Sequence, residues 1–127
     1  MEKKVLAAAS FEKKKYYFAE EFSVLPLEIQ QEVQILCVTA ANQLMCTFVL
    51  GFFPTGDLFI ETVRGENAAD FDDIGAELTV KKIRREKKEL LKALKLWYLV
   101  FCTPEGEKLQ AGLRKESPQQ KEEGEGQ

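Results

Sequence analysis

The sequence predicts an α+β fold: a small antiparallel sheet built on a central hairpin, with two helices packed against it. Three features of the chain lead there. Ile29, Val33, Leu36, Cys37 and Ala40 recur at three- and four-residue spacing, the repeat of a helix with one buried side. Met45 to Phe53 and Leu58 to Val63 are β-rich runs separated by Pro54-Thr55-Gly56-Asp57, which has the composition of a tight turn. From Ile74 to Phe101 there is no Pro, the one Gly is Gly75, and apolar residues again gather on one side at the helical period.

Taken in order, Val5 to Ala9 forms a short strand, although Ala is a poor strand former. Tyr16-Tyr17-Phe18 and Phe22 to Leu25 lead to Pro26. Pro in a first helical turn gives up an N–H that would be unpaired anyway, so the first helix is expected over about residues 26–42. In the hairpin, Phe48, Leu50 and Phe52 share one face, and Val49, Gly51 and Phe53 share the other. Apolar groups on both faces predict a strand covered twice, by helices or by a partner. Phe48, Val49, Leu50, Phe52 and Phe53 are therefore the candidate self-association surface.

Arg64 to Asp73 is a polar, acidic connector. The second helix is expected over about residues 74–95, with Ala76, Val80, Ile83, Leu90, Leu91, Leu94, Trp97, Tyr98 and Phe101 on one arc. Leu96 to Cys102 is apolar all round. It either carries that helix on to about residue 101 or forms a third strand, and periodicity does not separate the two. Thr103-Pro104-Glu105-Gly106 reads as a turn, with Leu109 and Leu113 docking a short last segment. Arg114 to Gln127 holds no aliphatic or aromatic side chain to offset the entropy of ordering, so residues 114–127 are expected as a disordered polar tail and residues 1–113 as one domain.

A chain of 127 residues, 45% apolar with nine Phe, has enough material for one core without a disulfide or metal. No apolar run approaches the ~18 residues that span a bilayer. Val5 to Ala9, following Lys3 and Lys4, is shorter than the roughly 7–15 residues of a signal-peptide core. Cys37, Cys46 and Cys102 are odd in number and lack CxxC spacing, which fits reduced thiols in a cytoplasm.

The sequence has no histidine, which removes Ser-His-Asp and Cys-His nucleophile pairs, imidazole acid–base chemistry and His-ligated zinc or haem. Gly51 to Gly56 has the spacing of a phosphate-binding loop, but Asp57 stands where a Lys must meet the phosphates. Asp70-x-Asp72-x-Ile74-Gly75 echoes a calcium loop, with Ile74 at a ligand position and Lys81 where the closing Glu belongs. Glu66, Asp70, Asp72, Asp73 and Glu77 form an acidic cluster of the kind hard cations favour; carboxylates also collect at helix N-termini simply to cap N–H groups, and that is the preferred reading. No catalytic, cofactor or metal residue is assigned.

Charge is strongly segregated. Residues 81–95 carry +6 while the whole chain carries −3, leaving −9 elsewhere. Lys81, Arg84, Arg85, Lys88, Lys92 and Lys95 project within about 100° of arc at the helical period, a candidate rail for a polyanion or partner. Lys87 falls instead on the apolar side, between Ile83 and Leu90. A solvated outer face, the default for an amphipathic helix, is the preferred reading of this arc. Lys13-Lys14-Lys15 before Tyr16-Tyr17-Phe18 has the texture of a single-strand binder, but adjacent aromatics after a charge run are far more often core anchors.

Lys15-Tyr16-Tyr17-Phe18, Leu25-Pro26, Gln34-Ile35-Leu36-Cys37-Val38, Asp73-Ile74-Gly75 and the segment ending around Tyr98 together resemble a family of small uncharacterised bacterial proteins, a domain of unknown function. Leu44-Met45-Cys46 departs from the glycine-rich approach to the hairpin associated with that family, so a glycine-dependent site is not expected there. The resemblance brings no activity or cofactor. The expected function is a non-enzymatic interaction or regulatory module that self-associates as a homodimer. Binding of nucleic acid or another polyanion to the basic helix face is the alternative, and a carboxylate-based enzyme or divalent-metal site comes third. Beyond a second copy, an acidic protein ranks ahead of nucleic acid as partner.

Overall fold

In the computed structural model, residues 3–64, 73–106 and 108 are described. The regular elements are β1 (Lys4–Ser10), β2 (Lys15–Phe18), α1 (Leu27–Leu44), β3 (Cys46–Phe52), β4 (Leu58–Arg64), α2 (Asp73–Glu86) and α3 (Lys88–Phe101), with a single 3-10 turn at Glu20–Phe22. The strands form one antiparallel sheet in the order β2-β1-β3-β4, so the fold is α+β as expected. The sheet is larger than the sequence suggested. β2 was not foreseen, because Tyr16 to Phe18 is too short a run for period-two alternation to register.

α1 and α3 pack on one face of the sheet, and α2 sits beside them with Ile83 in the same core. Val33 and Cys37 of α1, and Leu94 and Tyr98 of α3, share one buried cluster with Phe48, Leu50 and Phe52 of β3. A bulge between Val5 and Ala7 of β1 lets two successive side chains, Leu6 and Ala7, enter that core. Phe22 closes it near α3, with its ring 5.2 Å from Phe52 and 6.0 Å from Trp97. The opposite face carries Val5, Tyr17, Phe53 and Val63, all exposed, and no described helix lies over it.

This one-sided packing corrects the candidate self-association surface. Phe48, Leu50 and Phe52 are fully buried under the helices and are core residues. Only Val49, half-buried, and Phe53, exposed, lie on the open face. The expectation treated both faces of β3 as equally in need of a cover, but a single helical layer satisfies one face completely.

The first helix extends two residues beyond its expected end. The Pro26 carbonyl accepts from the N–H groups of Ile29 and Gln30, and Gln30 returns its side-chain amide to the carbonyls of Ser23 and Leu25. At the other end Met45 takes the left-handed conformation (φ 53°) that lets its N–H reach the Ala41 carbonyl and the chain turn into β3.

The expected single helix of residues 74–95 is two helices. The chain leaves helical geometry at Lys87 (φ −104°, ψ 24°) and resumes at Lys88, while Lys87 N–H still reaches the Ile83 carbonyl. Lys87 is the charged residue on the inward arc. Its side chain is exposed, the aliphatic stem running out past Ile83 and Leu90 with the ammonium in water. Residues 96–101 are helix, which settles the helix-or-strand alternative. Thr103 then caps a following helical turn, donating its hydroxyl to the Leu99 carbonyl and accepting the Gly106 N–H, so the expected open turn at residues 103–106 is the start of another helical segment. The tail at residues 114–127, Leu109, Leu113 and the connector residues 65–72 lie outside the described residues.

Candidate functional site

The β3–β4 turn builds the site. Gly56 (φ 92°) supplies the positive φ this turn needs, donating its N–H to the Phe53 carbonyl while Phe53 N–H closes on Asp57. Thr55 donates its hydroxyl to the Asp57 carboxylate at 3.0 Å. The turn reaches to α3, where Lys95 Nζ lies 2.7 Å from Asp57 Oδ1. From α2, Arg84 donates to the Leu58 carbonyl at 3.0 Å. The bond from Lys95, then that from Thr55, hold the Asp57 carboxyl below its usual range.

These contacts shape a groove of about 410 Å³ lined by Arg84, Lys88, Lys92, Lys95, Asp57 and the side chains of Leu58 and Leu91. Four cations face one carboxylate. Lys88 and Lys92 are exposed and have no acidic partner among the described residues. The groove can take an anion by charge-assisted hydrogen bonds. The break at Lys87 divides the expected rail: Lys81 and Arg85 stand outside this groove on α2, so four of the six predicted residues are brought together and two are not.

The model of a family of unknown function, DUF6145, matches residues 3–107. The chain belongs to this family. The DUF6145 match covers both the sheet and the basic groove. No curated protein and no solved structure matches the chain.

Elsewhere in this DUF6145 domain, the other singled-out residues disperse. Tyr16 and Phe18 pack against the core, as anchors rather than a stacking platform, while Tyr17 is exposed on the open face. Lys14 Nζ lies 3.8 Å from the Phe11 ring centroid. Of the acidic cluster, Glu66, Asp70 and Asp72 lie outside the described residues, and Asp73 pairs with Arg64. Among the described residues no group of Cys, Asp and Glu could hold a metal ion, and no helix is long and apolar enough to cross a membrane.

Sequence reasoning missed Asp57 as a member of the site. It entered only as the residue that spoils a phosphate loop, and its partner Lys95 is 38 positions away, beyond any local pattern. It also missed that the half-buried Tyr16 lies near the buried Cys37. Desolvation, then the nearby Cys37, push the Tyr16 hydroxyl up to about 12, and burial pushes the Cys37 thiol to about 12. The Tyr16 hydroxyl is buried with no hydrogen-bond partner among the described residues.

Proposed function

We propose that the chain is a non-enzymatic interaction module of a bacterial cytoplasm that self-associates through the open face of its sheet. The observation carrying this reading is the one-sided packing: Val5, Tyr17, Phe53 and Val63 are exposed on a face that no described helix covers. A second copy suits that face because its charges are few and the carboxylate of Glu61 there is already paired. Lys3 pairs with Glu61 and lies 4.7 Å from the Phe59 ring centroid, so two such faces meet without the repulsion that a net charge of −3 would otherwise bring. Three free thiols, two of them buried, support the reducing compartment.

Four strands about 4.8 Å apart present roughly 400 Å² per copy, half the ~800 Å² of a standard interface. A face of that size places the dimer among weak, concentration-dependent associations. Sedimentation over a concentration series up to millimolar, on the native chain and on a Tyr17→Glu, Phe53→Glu double variant, tests it. A native chain that stays monomeric throughout ends the proposal, as does a double variant that dimerises equally well.

A second reading has its own observation. The convergence of Arg84, Lys88, Lys92 and Lys95 on one groove favours polyanion binding, which is checked by whether affinity for a single-stranded oligonucleotide falls steeply with salt.

A further inference from the structure

The edge of the sheet at β4 offers a second, independent surface. Hydrogen bonds between antiparallel strands alternate, and the closure of Phe53 on Asp57 fixes the phase. Counting down the register, Gly51 with Phe59, Val49 with Glu61 and Thr47 with Val63 are the bonded pairs. The backbone N–H and C=O groups of Leu58, Ile60 and Thr62 therefore point away from β3, off the edge of the sheet. The Arg84 guanidinium confirms that phase by donating to the Leu58 carbonyl from outside. Ile60 and Thr62 have no such partner among the described residues.

Beside those two residues runs a groove of about 400 Å³ between β4 and α2, lined by Ile60, Thr62, Ala76, Glu77 and Val80, with the Arg64–Asp73 pair at its far end. At its near end, past Leu58, lies the basic groove of Arg84, Lys88, Lys92 and Lys95. An unpaired strand edge flanked by a helix is the arrangement that captures an extended peptide as an added strand.

We infer that β4 and α2 bind a short extended peptide, antiparallel to β4, whose C-terminal residues are acidic. Ile60 and Thr62 supply the backbone pairing, and the groove against Ala76 and Val80 takes alternate β-branched side chains. A strand antiparallel to β4 runs from the Arg64 end toward Leu58, so its C-terminus arrives at Lys88 and Lys92, while Asp73 and Glu77 face its N-terminus. Arg84 occupies the Leu58 carbonyl, so pairing stops there and the peptide leaves the edge directly into the cationic groove. The charge arrangement sets polarity as well as affinity, and none of this depends on the open sheet face.

The test uses the full chain below its dimerisation range, with the peptide KTVTVEE as probe and the reversed sequence EEVTVTK as control. Proton–nitrogen NMR should show shifts at the Ile60 and Thr62 amides, slowed amide exchange at both, and at least tenfold tighter binding of the probe than of its reverse at low salt. Lys88→Gln with Lys92→Gln, both solvent-facing, should weaken the probe fivefold or more without touching the fold. Thr62→Pro removes an N–H that the sheet does not use and should abolish binding. The inference fails if millimolar probe leaves the two amides unmoved, if both peptides bind alike, or if the double Lys variant binds as well as the native chain. A groove that takes an oligothymidylate and neither peptide also overturns it.

Discussion

Phe59 lies across Gly51 of the neighbouring strand, and the two are directly opposite in the register of β3 and β4. A Cβ on Gly51 would overlap both the Phe59 ring and the Lys4 carbonyl of β1. The missing side chain lets Phe59 lie down on the otherwise open face, where it is buried and sits 5.5 Å from the Phe53 ring. Gly51→Ala should therefore cost about 1–3 kcal/mol by overpacking, since the Lys4 carbonyl is backbone and cannot rotate away. Chemical denaturation measures it, and a loss under ~0.5 kcal/mol would mean the strand spacing yields.

Met45 bears the left-handed conformation at the end of α1 with a side chain that is 54% exposed and packs little. Left-handed backbone costs an ordinary residue roughly 1 kcal/mol that glycine does not incur. Met45→Gly should stabilise the chain by up to about 1 kcal/mol, an unusual direction for a substitution to glycine, and a raised midpoint in urea would show it.

The thiols should separate into two classes. Cys37 and Cys46 are buried and Cys102 is exposed, so native alkylation should modify Cys102 and spare the other two until the chain unfolds. Burial raises the Cys37 thiol from 9.0 to about 12, so the folded state holds that proton more tightly than the unfolded one. Its contribution is complete below pH 9 and is lost as pH climbs toward 12, by up to roughly 4 kcal/mol. Cys37→Ala should flatten the alkaline fall of stability; an unchanged profile would place the cause elsewhere.

The Asp57–Lys95 pair neutralises part of the basic groove. Both side chains are about half exposed, so Asp57→Asn should leave the melting temperature almost unmoved. It should tighten oligonucleotide binding and steepen its salt dependence if the groove takes polyanions, because a fourth cation is released. Arg84→Gln should act oppositely on binding and should cost about 1 kcal/mol of stability through the lost bond to the Leu58 carbonyl. Equal oligonucleotide affinity in both variants would remove the groove from that role.

Local pattern was enough for much of this chain. The spacing of Ile29 to Ala40 determined α1, and the Pro-Thr-Gly-Asp interval determined the β3–β4 hairpin, because each is specified within a few residues by period or turn chemistry. The α+β class followed from those two and the apolar arc of residues 76–101. Tertiary structure decided what lies on which side. A two-sided apolar strand does not say how many layers will cover it, so Phe48, Leu50 and Phe52 went to the core while Val49 and Phe53 stayed on the open face. Residues 86–88 include no helix-breaking residue, so local pattern was silent about the break at Lys87. Asp57 and Lys95, Arg84 and Leu58, and the edge at Ile60 and Thr62, unpaired among the described residues, arise from chain segments that meet only after folding, and a linear pattern has no term for such meetings.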